Sequence, residues 1–348
     1  MPWSPAVASS SCALDPRQSP PTRWMWGVVQ ALVWLVGLTM LLLLAFAPRI
    51  GLHAVWDVLI PVAPALLAIA PGLWRNICPL GTTAQLPRRM RISFELRPSA
   101  RLQTCFMVGG IAALLLIVPL RHVSFNNDAQ TTLTALIVLG ALAFVAGIVT
   151  LGKSGWCTGL CPVHPVEKLY GQEPALSITN AHCSQCLGCV ARCPDSSAAN
   201  DLLAPHASPL RRAAGWLLVG GFPGYIWGWF HVQDAQPGDG WASIAAACAA
   251  PFGAMAVSVA IHALLAKLIP QQRHALLHRS FAALSISMYY WYRLPALVGF
   301  GLFPGDGMLV DLRGSLSPAA LLPVQIAVAL FWGWWFVLRA KNRSAITR

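Results

Sequence analysis

Cys183, Cys186, Cys189 and Cys193 stand in a C-x2-C-x2-C-x3-C-P spacing that closes on Pro194. Three thiolates two residues apart on a tight turn reach three irons of one cubane, while a fourth on diverging backbone points elsewhere. This is the spacing of 4Fe-4S ligation, and in two-cluster proteins the fourth cysteine serves the other cluster. Zinc sites also use C-x2-C pairs, but they separate two such pairs by a longer spacer. A disulfide set would need an oxidising compartment.

Three more cysteines stand in related positions. Cys157 and Cys161 lie in a G-W-C-x3-C-P element that runs from Gly155 to Pro162, and Cys78 precedes Pro79 in a similar loop. Seven of the ten cysteines therefore fall in three short motifs, and Cys12, Cys105 and Cys248 read as bystanders. Aligning Cys78-Pro79 on Cys161-Pro162, 83 residues further on, places Gly72 on Gly155, Leu86 on Leu169 and Trp74 on Cys157. That pattern is a duplicated hairpin, two helices and a Cys-Pro loop in each copy.

The elements that must position these loops are membrane helices. Of the 348 residues 56% are hydrophobic and 10% charged, against about 25% charged in a soluble domain. The net charge of +12 follows from basic cytoplasmic loops and gives no reason to invoke nucleic acid. Apolar runs predict about eight spans, at 25–47, 52–73, 104–120, 131–150, 213–231, 241–266, 281–303 and 316–338, the second kinked at Pro61, Pro64 and Pro71. With both termini inside, loops assigned to the cytoplasm hold 20 of the 24 Lys and Arg, while Arg49, Arg121 and Arg313 lie outside and Arg293 within a span. The expected organisation is a cytoplasmic tail at 1–23, four helices over 24–151 with a Cys-Pro loop at 72–86, a cytoplasmic segment at 152–212, four helices over 213–338 and a tail at 339–348. The fold class is thus an all-α polytopic membrane protein of about eight transmembrane helices, in an inner membrane, with a small cytoplasmic ferredoxin-like 4Fe-4S insertion.

With the G-W-C-x3-C-P element, its Cys78-Pro79 partner and the complete cysteine run, the chain over residues 52–200 resembles the polytopic membrane ferredoxins of the NapH, NosR and FixG type. The resemblance implies electron transfer between a membrane donor, commonly quinol, and a respiratory or metallocentre-assembly partner protein, by an electron carrier rather than a stand-alone enzyme. Two departures stand out: one cysteine run where that family usually has two, and Trp74 where its first loop has an upstream cysteine. Two clusters with all-cysteine shells need eight thiolates, and the motifs supply seven: Cys78, Cys157, Cys161, Cys183, Cys186, Cys189 and Cys193. One arrangement gives Cys183, Cys186 and Cys189 a fourth ligand from Cys161 or Cys78. Cys193 and the remaining cysteines then hold a second cluster, with His164 or His182 completing its shell; the other arrangement is a single cluster. A membrane redox or iron sensor built on the same cluster is the alternative function.

Other residues attract attention singly. Arg293, expected half-way along a span beside Pro295, suggests either a quinone or anion pocket opened by the proline break, or a broken span in which it snorkels outward or pairs with a helix end. His53 and Asp57 near the outer end of the second span read as interfacial, with a quinone or metal site as the lesser reading. His231 and His262 find no convincing partner for a haem. Lys153, Lys168 and Arg192 would raise a cluster's potential, or are ordinary positive-inside residues.

Overall fold

The computed structural model describes residues 3–4, 20–176, 178, 208–236, 239–303 and 307–339. The cysteine run at 183–193, with His182 and Arg192, lies outside the described residues. Strand pairing among the described residues is confined to Trp3–Ser4 against Arg97–Pro98, antiparallel, and a parallel bridge between Leu96 and Thr150. Everything else of regular structure is helical. A bilayer offers the backbone no hydrogen-bond partners, so an apolar chain satisfies its N–H and C=O groups within each helix.

Among the described residues six helices are long and apolar enough to cross a membrane. In chain order these are α1 (Pro20–Phe46), α2 (Pro48–Ile69), α5 (Ala100–Phe125), α6 (Ala129–Val149), α9 (Gly240–Leu268) and α11 (Pro318–Leu338). Only 11% to 33% of each apolar stretch is buried against protein, which leaves most of its surface for lipid. Short helices α3 (Pro71–Ile77), α4 (Pro79–Arg89) and α7 (His164–Tyr170) flank the Cys-Pro loops. Two further helices, α8 (Pro209–Phe230) and α10 (His274–Leu297), have spanning length but less apolar sequences. Arg211, Arg212 and several glycines dilute α8; three histidine or arginine positions in its first turns, and Arg293, dilute α10. The second predicted span ends earlier than expected, because Ala70, pushed out of helical geometry (φ −142°, ψ 62°) ahead of Pro71, separates α2 from α3.

The chain forms two compact units. The first comprises residues 1–47, 66–114 and 133–214 and contains the Cys-Pro loops; the second comprises 48–65, 115–132 and 215–348.

Within the second unit, side chains repair hydrogen bonds that prolines remove. The first half of α2 runs as a π turn over His53–Leu59, and the N–H of Ile60 donates to Val55 O. The next residue, Pro61, has no N–H for Trp56 O, and Arg293 Nη2 donates to that carbonyl instead, at 2.7 Å. One turn on, the Tyr290 hydroxyl enters the ladder itself: it accepts from Ala65 N (3.0 Å) and donates to Pro61 O (2.8 Å). In α5, Pro119 leaves Leu115 O without a donor, and Tyr225 Oη supplies one at 2.8 Å. In α10, Pro295 does the same to Trp291 O, which Gln325 Nε2 reaches at 2.7 Å. Removing such a hydroxyl leaves buried backbone groups unpaired, at about 1–3 kcal/mol. Tyr290→Phe and Tyr225→Phe are therefore each expected to lower stability by about that amount in detergent unfolding, whereas Leu330→Ala, on a lipid-facing site, should change it by less than about 0.5 kcal/mol.

Candidate functional site

Both Cys-Pro loops are built the same way. A cysteine ahead of proline is excluded from helical geometry. Accordingly Cys78 (φ −60°, ψ 120°) and Cys161 (φ −63°, ψ 120°) each stop one helical turn and start the next. Cys78 N donates to Trp74 O and Cys161 N to Trp156 O, both at 2.9 Å. The two loops differ upstream. The turn before Cys78 closes over four residues; that before Cys161 is a π turn, Trp156–Leu160, which closes over five. By hydrogen bonding Trp74 therefore corresponds to Trp156, and the π turn holds one residue more, Cys157 to Leu160 where the first loop has Arg75 to Ile77. The first loop did not exchange a cysteine for Trp74 in this geometry; it has no equivalent of the inserted residue. Single π turns of this kind recur at functional sites.

The structure brings the two loops together. A Cβ on Gly81 would meet Cys157 Sγ at 3.7 Å and Cys78 Sγ at 4.0 Å, so the glycine leaves open the space that both sulfurs border. Cys161 is buried in an apolar cluster with Ala84, Ala143 and Trp156, against which Leu80, Val163 and Cys157 pack. No disulfide joins any of the five cysteines among the described residues. Burial pushes the Cys161 thiol up to about 12, the neighbouring Cys78 adding to the shift, and burial raises Cys78 as well. The opposing influences are alike in the two loops. The second and third N–H groups after each cysteine, Leu80 and Gly81 or Val163 and His164, lie near its sulfur and favour the thiolate without closing a hydrogen bond of ordinary geometry.

Charge surrounds the pair of loops. Arg75 of the first copy forms an ion pair with the buried Glu167 of the second. Lys153, only 5% exposed, is placed so that its charge favours the Cys78 thiolate. A lysine so deeply buried is not an ordinary solvated residue of a basic loop. Gly110 of α5 passes the second loop so closely that an added Cβ would lie 2.7 Å from Gly159 O and 3.1 Å from Cys161 O.

Among the described residues no three His, Cys, Asp or Glu side chains converge as a single metal ion requires. An iron-sulfur cubane asks for something looser, since each thiolate binds its own iron and the sulfurs need only border a common space. Cys78 and Cys157 border such a space at Gly81, with Cys161 in the adjoining apolar cluster. This donor set fits part of a cluster's shell. His164 is buried in the first turn of α7 and remains near Cys161. Sequence reasoning passed over Gly81 and Glu167 as site residues, although each lies within the motifs, and left Lys153 between a potential-raising charge and an ordinary positive-inside residue; their burial carries no sequence signature.

Arg293, Asp57, His53 and His231 belong to the second unit, Lys168 to the first. Arg293 is one turn from the end of α10, 1% exposed, and bonds Asp57 Oδ1 at 2.6 Å as well as Trp56 O. Gly307, at φ +61°, lies so close to the guanidinium that a Cβ there would overlap it. Arg293 thus pairs with a carboxylate and a carbonyl inside α2 rather than with a helix end. Asp57 is correspondingly buried rather than interfacial; its other oxygen bonds His53 Nδ1 at 2.6 Å. His231, just past the end of α8, bonds Trp227 O of that helix through Nδ1. A cluster on Arg121, stacked on Trp56 and Trp229, and His122, bonded to Asp234 and Trp229 O, completes this polar region.

No protein-family model, curated sequence or solved structure matches the chain.

The close passage of α5 over the second loop makes a direct test. Gly110→Ala should push on backbone that has no room to yield and cost about 1–3 kcal/mol, while Gly140→Ala, with nothing within 4 Å, should be neutral or slightly stabilising in the same unfolding assay.

Proposed function

We propose that this chain is a membrane-bound 4Fe-4S electron-transfer protein, relaying electrons between a quinol or soluble donor and a partner protein. The observation that carries the reading is the meeting of two like-built Cys-Pro loops at Gly81, where Cys78 and Cys157 border one space beside Cys161. The sequence places the C-x2-C-x2-C-x3-C-P run only 21 residues after Cys161-Pro162, so Cys183, Cys186, Cys189 and Cys193 supply the remaining thiolates. The resemblance to membrane ferredoxins agrees with that donor set.

In this reading α8 and α10 complete eight spans; at about 1.5 Å per residue each is long enough for a hydrocarbon core of about 30 Å. The distribution of Lys and Arg then puts both termini and the cysteine motifs on the cytoplasmic side of an inner membrane.

A bound cluster supplies one-electron carriage, with a potential set by charge, burial and hydrogen bonds to its sulfurs. The protein's part is to hold the thiolates in an apolar surround and to aim N–H groups at them. Cys78 and Cys161 receive that treatment alike. Lys153 adds a buried positive charge, which favours the more negative, reduced state. Arg75 and Glu167 tie the first loop to the second, so that the sulfurs of both copies keep their spacing.

Iron and acid-labile sulfide per chain, measured on anaerobically purified protein with low-temperature EPR before and after dithionite, test the proposal. About four or eight irons are expected, lowered by Cys161→Ser and by Cys189→Ser but unchanged by Cys105→Ser. Protein that carries zinc, or no metal, would overturn the reading. Lys153→Met should leave the iron in place and shift the midpoint potential negative, by on the order of 59 mV for a tenfold change in a one-electron equilibrium.

A further inference from the structure

Gln85, on α4, is 0% exposed, and neither its Nε2 nor its Oε1 has a hydrogen-bond partner. A buried amide left unpaired costs free energy that an apolar side chain of similar length would not, so a group that keeps it calls for something that completes it. The packing of α4 indicates where that partner lies. Residues four apart share a helix face, and successive residues turn by about 100°. Pro79 and Thr83 face α1: a Cβ on Gly37 would lie 3.2 Å from Pro79 Cβ, and Trp34 Nε1 donates to Thr83 Oγ1 at 3.2 Å. Leu80 and Ala84 face the apolar cluster of Ala143 and Trp156. Gly81 and Gln85 stand on the next face round, and at Gly81 that face meets the sulfurs of Cys157 and Cys78.

We propose that the side-chain amide of Gln85 donates a hydrogen bond from Nε2 to a sulfur of the iron-sulfur cluster held at Cys78 and Cys157, and so raises its potential. The inference rests on the iron-sulfur reading and adds to it a residue outside the cysteine motifs. Side chains of a helix lean toward its N-terminus, over the residue one turn back, and for Gln85 that residue is Gly81. Glycine at that position puts no side chain between the amide and the two sulfurs. Thiolate and sulfide sulfurs only accept, so hydrogen bonding turns Nε2 rather than Oε1 toward them.

A second glutamine of the same unit has a different task. Gln103 Nε2 donates to Thr158 O at 2.8 Å, so its amide is spent on holding the backbone of the second loop. Gln85 has no such employment. It is carried by the helix that Cys78 begins, so the donor and that thiolate keep one spacing. Lys153 acts on the cluster by its charge alone, whereas the amide acts by a directed N–H. A hydrogen bond to a sulfur strengthens as the cluster takes up an electron and becomes more negative, which favours the reduced state.

The full-length protein is purified anaerobically in detergent and its iron is measured first, so that a failure of the iron-sulfur reading shows before Gln85 is questioned. Gln85→Leu, of similar size but without the amide, should keep the native iron and sulfide and make the midpoint potential more negative. The one-electron reduction equilibrium is expected to fall about tenfold, which is about 59 mV. Thr83→Val, on the face toward α1, should leave the potential where it is. With glutamine side-chain amides labelled with 15N, pulsed EPR of the reduced native protein should show a weak 15N coupling that Gln85→Leu lacks. Should Gln85→Leu fail to load iron, the coupling in the native protein decides alone. Native iron in Gln85→Leu with an unchanged potential, or a native spectrum without 15N coupling, would overturn the assignment while the cluster stands. Native protein without iron would overturn both.

Discussion

Hydrocarbon supplies no hydrogen-bond partners, and that constraint governs how the prolines of this chain are used. Each proline within a helix deletes a donor and strands a carbonyl one turn earlier. In water a solvent molecule would serve. Here Arg293 serves Trp56 O, Tyr225 serves Leu115 O and Gln325 serves Trp291 O. The interruption of a helix thereby becomes the point at which another helix docks. Tyr290 takes the principle further, since its hydroxyl replaces both ends of a missing bond between Ala65 and Pro61.

The same logic explains why Arg293 is tolerated. A buried guanidinium is costly unless its charge and its donors are all met. Asp57 meets the charge, Trp56 O takes a donor, and Gly307 lets the backbone approach the planar group. Asp57 is in turn held by His53, so the pair is part of a chain of contacts rather than an isolated bridge.

In the first unit proline acts differently. At Pro79 and Pro162 its effect on the preceding residue sets each cysteine at the junction of two helical turns, with its sulfur near the N–H groups of the turn that follows. One geometry repeated 83 residues apart gives two equivalent thiols. The asymmetry between the copies is a single inserted residue, accommodated as a π turn, and it brings Cys157 to the space beside Gly81.

Composition and spacing were enough to identify an all-helical membrane protein and the boundaries of α1, α6 and α11 to within a few residues, because apolar length is a local property of a chain. They also exposed the duplication, since Cys-Pro imposes its backbone conformation wherever it occurs. Tertiary structure alone decided that Arg293 pairs with Asp57, that Trp74 corresponds to Trp156, and that Gly81 opens a space between Cys78 and Cys157. These pairings join residues between 3 and 236 positions apart, from Gly81 and Cys78 to Arg293 and Asp57. Most are closed by the packing of separate helices, and one by a change of turn within a helix, so no spacing in the sequence announces them.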